Sequence, residues 1–218
     1  MSRLDRIRER MRCEVPRNYT FTTHMLKLAC LMLLPLPALI VLLIGCDMSM
    51  VTWLAVPLGL LLGNLIEYVT HRYPMHRYIM GGIMYKRHAG KHHVMFRHDM
   101  MTMTDPRDAY YVMMPALPAA MFMVVIGIIT ALVTWANVTA FGIVMCIALC
   151  VYIFTEELLH LSFHAKSTWK NDGVWYSLLR HLGSNHRQHH DPKQMRTSAF
   201  NVTFPLFDWL FGTLPKKN

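Results

Sequence analysis

Along the chain, long apolar stretches alternate with short basic segments rich in histidine. Residues 28–46, 48–66 and 109–155 contain no Asp, Glu, Lys or Arg. A bilayer core about 30 Å thick takes about 20 apolar residues of helix, so the first two stretches make one span each and the third makes two. The third divides most naturally at Trp135-Ala136-Asn137, where polarity rises briefly. The pattern predicts an all-α integral membrane protein with spans at about 26–46, 48–70, 109–134 and 138–160, paired as two hairpins. Pro57 falls inside the second span, where a membrane helix tolerates a kink. A soluble fold would have to hide all of 109–155 inside one small domain, which its length argues against.

Charge adds orientation. Only 16% of the 218 residues are charged and 54% are hydrophobic, against about a quarter charged in soluble domains. Lys and Arg lie before the first span, between spans two and three, and after span four. The short loops near Asp47 and Trp135-Ala136-Asn137 carry none. The positive-inside rule then puts both termini and the middle segment, 71–108, in the cytoplasm. The formal net charge of +9 reads as a basic face toward anionic headgroups, with each cation near the surface contributing about 1 kcal/mol. Nucleic acid is not needed to explain it.

Residues 1–25 form a basic amphipathic lead with Leu4, Ile7 and Met11 at helical spacing, expected on the membrane surface or as a disordered tail. Residues 26–218 form the membrane domain. A cleavable signal peptide is not expected, since the first apolar stretch contains Pro35 and Pro37 and no small-residue cleavage site follows it. Cys13, Cys30, Cys46, Cys146 and Cys150 include no C-x-x-C and read as small apolar residues. The stretch Phe200 to Leu214, with Phe204, Phe207, Trp209 and Phe211, suggests an interfacial anchor or a cap over a site.

The candidate chemistry lies in the histidines. Ten of the 13 form four clusters: His71 and His76; His88, His92 and His93; His160 and His164; His186, His189 and His190. Each follows the expected cytoplasmic end of span two or span four, in a helical cap. Residues three and four apart share a helix face, so His88 with His92, His160 with His164, and His186 with His189 and His190 should each present imidazoles to one ion. His71 and His76 are five apart and would splay on a regular helix. Pro74 between them is expected to bend the chain and restore convergence. One such pair at a helix end is more often incidental than a ligand pair, but four on one side of a small membrane protein point to metal binding. Ten imidazoles suit two ions with five each, which leaves a position open for oxygen or substrate. Imidazole serves iron, zinc, copper and nickel alike, so ligand type does not select the metal. Glu67 and Glu156 lie one turn before His71 and His160. With Asp191 they are candidates to receive the second N–H of metal-bound imidazoles. His24, His98 and His181 are left without a role.

The string Glu67-Tyr-Val-Thr-His71-Arg-Tyr-Pro-Met-His76, then His88 to His93, His160-Leu-Ser-Phe-His164 and His186-Arg-Gln-His-His190, resembles the fatty acid hydroxylase and sterol desaturase superfamily. The resemblance covers roughly 50–214, including the tail Phe207-Asp-Trp-Leu-Phe-Gly-Thr-Leu214. One departure is the second cluster, H-x3-H-H here and H-x2-H-H in many members; related membrane alkane hydroxylases share the spacing found here. The resemblance implies two iron ions at the cytoplasmic membrane surface, with zinc as the alternative in a purified form, and dioxygen as co-substrate. It implies hydroxylation of a lipid acyl chain, or else desaturation or the hydroxylation of sterols or carotenoids. The Glu-Tyr-x-x-His-Arg opening is closest to the fatty acid 2-hydroxylase branch. No soluble domain is left to hold a haem, so electrons are expected from a separate ferredoxin or cytochrome with its reductase.

The chemistry agrees with this. An acyl C–H bond has no acidic proton and no leaving group, so acid–base groups alone cannot attack it, and redox chemistry at a metal can. That requirement selects iron over redox-inert zinc. Arg72, Arg77, Arg87 and Arg187 could hold a lipid headgroup, although as plain topology signals they need no ligand. A histidine-rich metal transporter is the rival from another class. It would place ionisable ligands near the bilayer midplane, where these spans have none. A structural protein stapled by zinc would not need ten ligands. The compact chain favours a bacterial inner membrane, with the endoplasmic reticulum as the alternative.

Overall fold

The computed structural model of the chain describes residues 3–136 and 139–215. Asn137 and Val138, at the expected division of the third stretch and the expected start of the fourth span, lie outside the described residues, as do Met1, Ser2 and 216–218. The regular secondary structure of the described residues is helical, joined by loops and turns. Their β pairing amounts to one isolated bridge, Arg97 to Met100.

Three helical stretches are long and apolar enough to cross a membrane: Phe21–Ile44, Met50–Met75 and Thr139–Phe163. A fourth forms when Pro106–Val112 and Ala116–Leu132, bent by 41°, are counted as one span. The break falls at Met113–Pro115, where Pro115 cannot donate a helical hydrogen bond. The first stretch is itself two helices, α2 (Phe21–Leu33) and α3 (Pro35–Ile44), divided in front of Pro35 for the same reason. In the second, a 3-10 turn (Met50–Leu54) leads into α4 (Ala55–Thr70). Pro57 therefore occupies the first turn of α4, where its missing N–H costs little, and not a kink in mid-span.

The chain forms two compact units. One contains residues 24–65 and 114–157, with most of α4, α8 (Ala116–Trp135) and α9 (Thr139–Phe163). Small residues let its helices approach closely. A Cβ built on Gly59 would stand 2.7 Å from the Met145 carbonyl oxygen, and one on Gly63 would stand 2.6 Å from the Tyr152 ring. The Asn64 amide donates to the Tyr152 hydroxyl at 2.7 Å, and the Glu157 carboxylate accepts the Met114 N–H at 2.6 Å. Cys146 and Cys150 are buried here as apolar residues, and all five cysteines are free thiols. Ile44, Leu117 and Val124 are left largely exposed, as a lipid-facing surface requires.

The other unit contains residues 1–23, 66–113 and 158–218. Its first helix, α1 (Arg3–Glu14), is the expected basic lead. Met11 and Val15 are buried against Met95, Phe96, Tyr111 and Val112, with Ile7 packed beside them. The apolar face of α1 is thus packed against the chain itself. The unit also includes α5 (Ile83–Arg87), α6 (His93–Met95), α7 (Ala109–Val112), α10 (Lys166–Lys170), α11 (Val174–His189) and α12 (Leu206–Leu210).

Candidate metal centre

All ten clustered histidines belong to this second unit, and the backbone in two places is wound to suit them. His71–Met75 and His88–His92 are π-helical turns, in which residues five apart come round to one face. His71 and His76 therefore converge without a break at Pro74, their ring centroids 5.0 Å apart. His88 pairs with His93, Nε2 to Nε2 at 3.1 Å, and not with His92 as α-helical spacing suggested. In α11, His186 and His190 keep the i, i+4 relation, Nε2 to Nε2 at 3.0 Å, while His189 points elsewhere.

Two groups result. In the first, single ring nitrogens of His71, His76, His88, His93 and His189 all lie within 4.8 Å of one another. In the second, His92, His164, His186 and His190 do the same. His160 stands beside the second group, its ring centroid 4.8 Å from that of His186 and 5.0 Å from that of His92. Each His-His doublet sends one imidazole to each group. The groups touch where the rings of His93 and His190 stack at 4.3 Å.

Five of the opposite ring edges are tied to backbone, while Nδ1 of His76, His93 and His186 is buried without a hydrogen-bond partner. Nδ1–H of His71 donates to the Phe200 carbonyl at 2.6 Å and that of His189 to Ser198 at 2.8 Å. In the second group, His92 donates to Tyr111 at 3.1 Å, His164 to Met101 at 2.8 Å and His190 to Phe96 at 2.5 Å. A carbonyl oxygen only accepts, so each of these Nδ1 atoms carries the hydrogen and each Nε2 of the neutral ring presents a lone pair. Burial pushes His92, His93, His186, His189 and His190 well below the ordinary histidine pKa, and His164 down to about 4. His92 and His190 thus aim two lone pairs at each other across 3.2 Å with no hydrogen to share. Nε2 of His160 is buried without a hydrogen-bond partner. Lone pairs converging among buried rings suit a cation at each centre, and the donor set fits imidazole-binding transition metals.

The expected acids act at one remove or elsewhere. The Glu67 carboxylate accepts the N–H groups of Val202 and Thr203, the Thr203 hydroxyl and the Asn201 amide. It grips the segment whose Phe200 carbonyl holds His71, while the imidazole N–H itself goes to that carbonyl. Asp191 accepts the Lys193 N–H at 2.9 Å, in a turn just after His190. Glu156 is half-buried and belongs to the first-described unit.

Asp208 was not anticipated. It is fully buried and accepts the N–H groups of Phe200 and Asn201 and the Thr213 hydroxyl. Burial raises its pKa. Between the two carbonyls that hold His189 and His71, Ala199 takes a left-handed backbone with φ of 57°, uncommon for a residue with a Cβ. An acid within the aromatic stretch 204–211 was the available sequence signal.

Of the arginines considered for a headgroup, Arg72 donates to the Tyr68 hydroxyl and lies over the Phe200 ring. Arg77 lies over Tyr73, Arg87 donates to the Tyr110 and Met113 carbonyls, and Arg187 donates to the His98 carbonyl. His181 is exposed, and His24 contacts the Met114 carbonyl at 3.0 Å.

The sequence model of the fatty acid hydroxylase family matches residues 56–213, the stretch that carries all ten of these histidines. Neither a curated protein nor a solved structure matches the chain.

Proposed function

The chain belongs to the fatty acid hydroxylase family, and from that premise we propose that it is a membrane di-iron oxygenase that hydroxylates a lipid acyl chain. The overall reaction consumes the substrate C–H bond, one dioxygen, two electrons and two protons, and yields the alcohol and one water. Two irons, when bound, supply the redox chemistry that acid–base side chains lack against an unactivated C–H bond.

The observation that carries this reading is the pair of touching groups of buried imidazoles, each with Nε2 lone pairs turned inward. The protein's own part is positioning. Backbone carbonyls hold ring orientation and tautomer, and burial keeps the imidazoles neutral and free to ligate. The proposed ligands are His71, His76, His88, His93 and His189 for one ion, and His92, His164, His186 and His190, with His160 beside them, for the other. The spans form two hairpins with both termini and the histidine-bearing cap on the cytoplasmic side. A bacterial inner membrane is the proposed location, and a separate ferredoxin or cytochrome with its reductase supplies the electrons. The Glu67-Tyr68-x-x-His71-Arg72 opening supports the 2-hydroxylase branch.

The test is mass spectrometry of total lipids from cells expressing the wild-type chain or His189→Ala. A lipid heavier by one oxygen and found only with the wild type is expected. A species lighter by two hydrogens would make the enzyme a desaturase, and a fully active His189→Ala would refute the metal assignment.

A further inference from the structure

We infer that helix α1, through Arg8, is a positioning device for the second histidine group alone. The inference rests on the reading of both groups as metal sites. α1 lies outside the residues matched by the family, 56–213, yet it is built into the frame of one group.

The Arg8 guanidinium is buried, with 5% of the residue exposed. Its Nε donates to the Met95 carbonyl at 2.9 Å and its Nη2 to the Met100 carbonyl at 2.6 Å, while Nη1 reaches the Thr102 carbonyl at 3.5 Å. It also lies over the Phe96 ring, 5.5 Å from the centroid. These atoms bracket a single loop. Within that loop, the Phe96 carbonyl holds His190 and the Met101 carbonyl holds His164. The remaining carbonyl of this frame belongs to Tyr111, which holds His92. The Tyr111 hydroxyl donates to the Met11 carbonyl of α1 at 2.8 Å. One turn along α1, Arg12 grips Asp108 through both carboxylate oxygens at 2.7 Å. Asp108 in turn accepts the N–H groups of Thr104 and Asp105.

Three ligands of the second group thus have their N–H bonds on carbonyls of a backbone that α1 braces at the neighbouring residues Met95, Met100 and Thr102 and at the Tyr111 side chain. The first group's carbonyls, Ser198 and Phe200, are held instead by Glu67 and Asp208 through the 200–203 backbone. A planar guanidinium with five donors can bridge several carbonyls at once, which the point charge of a lysine ammonium cannot reproduce. Through Arg8, α1 therefore braces the carbonyl frame of the second group, whereas its link to the turn that carries His88 is the exposed Glu14–Lys91 ion pair.

The test is cobalt(II) titration of purified, metal-stripped full-length protein, read by its visible absorption and by metal content after gel filtration. Wild type is expected to take up two equivalents. In Arg8→Gln, affinity for one equivalent should fall at least tenfold while the other changes less than twofold, and Arg8→Lys should lie between. In a His76→Ala background, Arg8→Gln should weaken the remaining equivalent. In a His164→Ala background it should leave the remaining equivalent unchanged. Two equivalents bound by Arg8→Gln with wild-type affinities would overturn the inference. So would equal weakening of both equivalents in Arg8→Gln or Arg8→Lys, because Arg8 would then support the fold as a whole. Wild type that binds no cobalt would instead defeat the metal reading beneath it.

Discussion

The Glu67 carboxylate accepts two hydrogen bonds from Thr203, one from its backbone N–H at 3.0 Å and one from its hydroxyl at 2.9 Å. A buried acid at the end of one helix thereby anchors a non-helical segment far along the chain, and that segment's Phe200 carbonyl orients His71. Glu67→Gln keeps the shape but turns amide hydrogens toward groups that are themselves donors. It should destabilise the protein by about 2 kcal/mol, with the first-group metal lost at lower chelator concentration than in wild type. Thermal unfolding and chelator titration of the purified protein check both.

Gly183 lies on α11, which also carries His186 and His189. A Cβ at this position would stand 2.8 Å from the ring of Phe163, which is itself fully buried beside His164. Gly183→Ala must push α11 or the ring aside. The expected cost is about 1–3 kcal/mol, with activity falling more than expression. Gly183→Ala with wild-type activity and unfolding temperature would show that the contact is not tight.

Acid should open the site, and the sign follows from burial. The imidazole of His164 titrates at about 4 in the folded chain against about 6.5 when unfolded. Below 6.5 the unfolded chain therefore binds more protons than the folded one. The stability from keeping His164 neutral is complete above about 6.5 and is lost as pH falls toward 4. His92, His186, His189 and His190 shift in the same direction, and protons also compete with metal for Nε2. Bound metal and the unfolding temperature, followed from pH 7.5 to 4.5, should fall together below about 6.5. A flat profile through that window would contradict buried neutral imidazoles.

Much of this was legible in the chain. The uncharged stretches pointed to an all-helical membrane chain, because the length an apolar run needs is set by the bilayer and not by tertiary contacts. Three helical stretches are long and apolar enough to cross a membrane, with a fourth if the bent pair is one span. The histidine clusters were equally plain, since nothing else explains so many imidazoles beside apolar segments. Their grouping was not legible. Helical spacing paired His88 with His92, and only the π-helical winding of His88–His92 pairs His88 with His93 instead. No residue pattern announces a π turn. Asp208 and the buried Arg8 were missed for a related reason. Each takes its meaning from backbone atoms it meets only after folding, so neither has a partner at a telling spacing in sequence.

The account turns on His92 and His93, neighbours in the chain that face different groups. The most direct measurement is metal content per chain, by elemental mass spectrometry, in wild type, His92→Ala and His93→Ala purified identically. The account predicts two ions in wild type and loss of a different one in each variant, so that His92→Ala/His93→Ala loses both. A wild-type chain with fewer than two ions, or a double variant that keeps both, would contradict it.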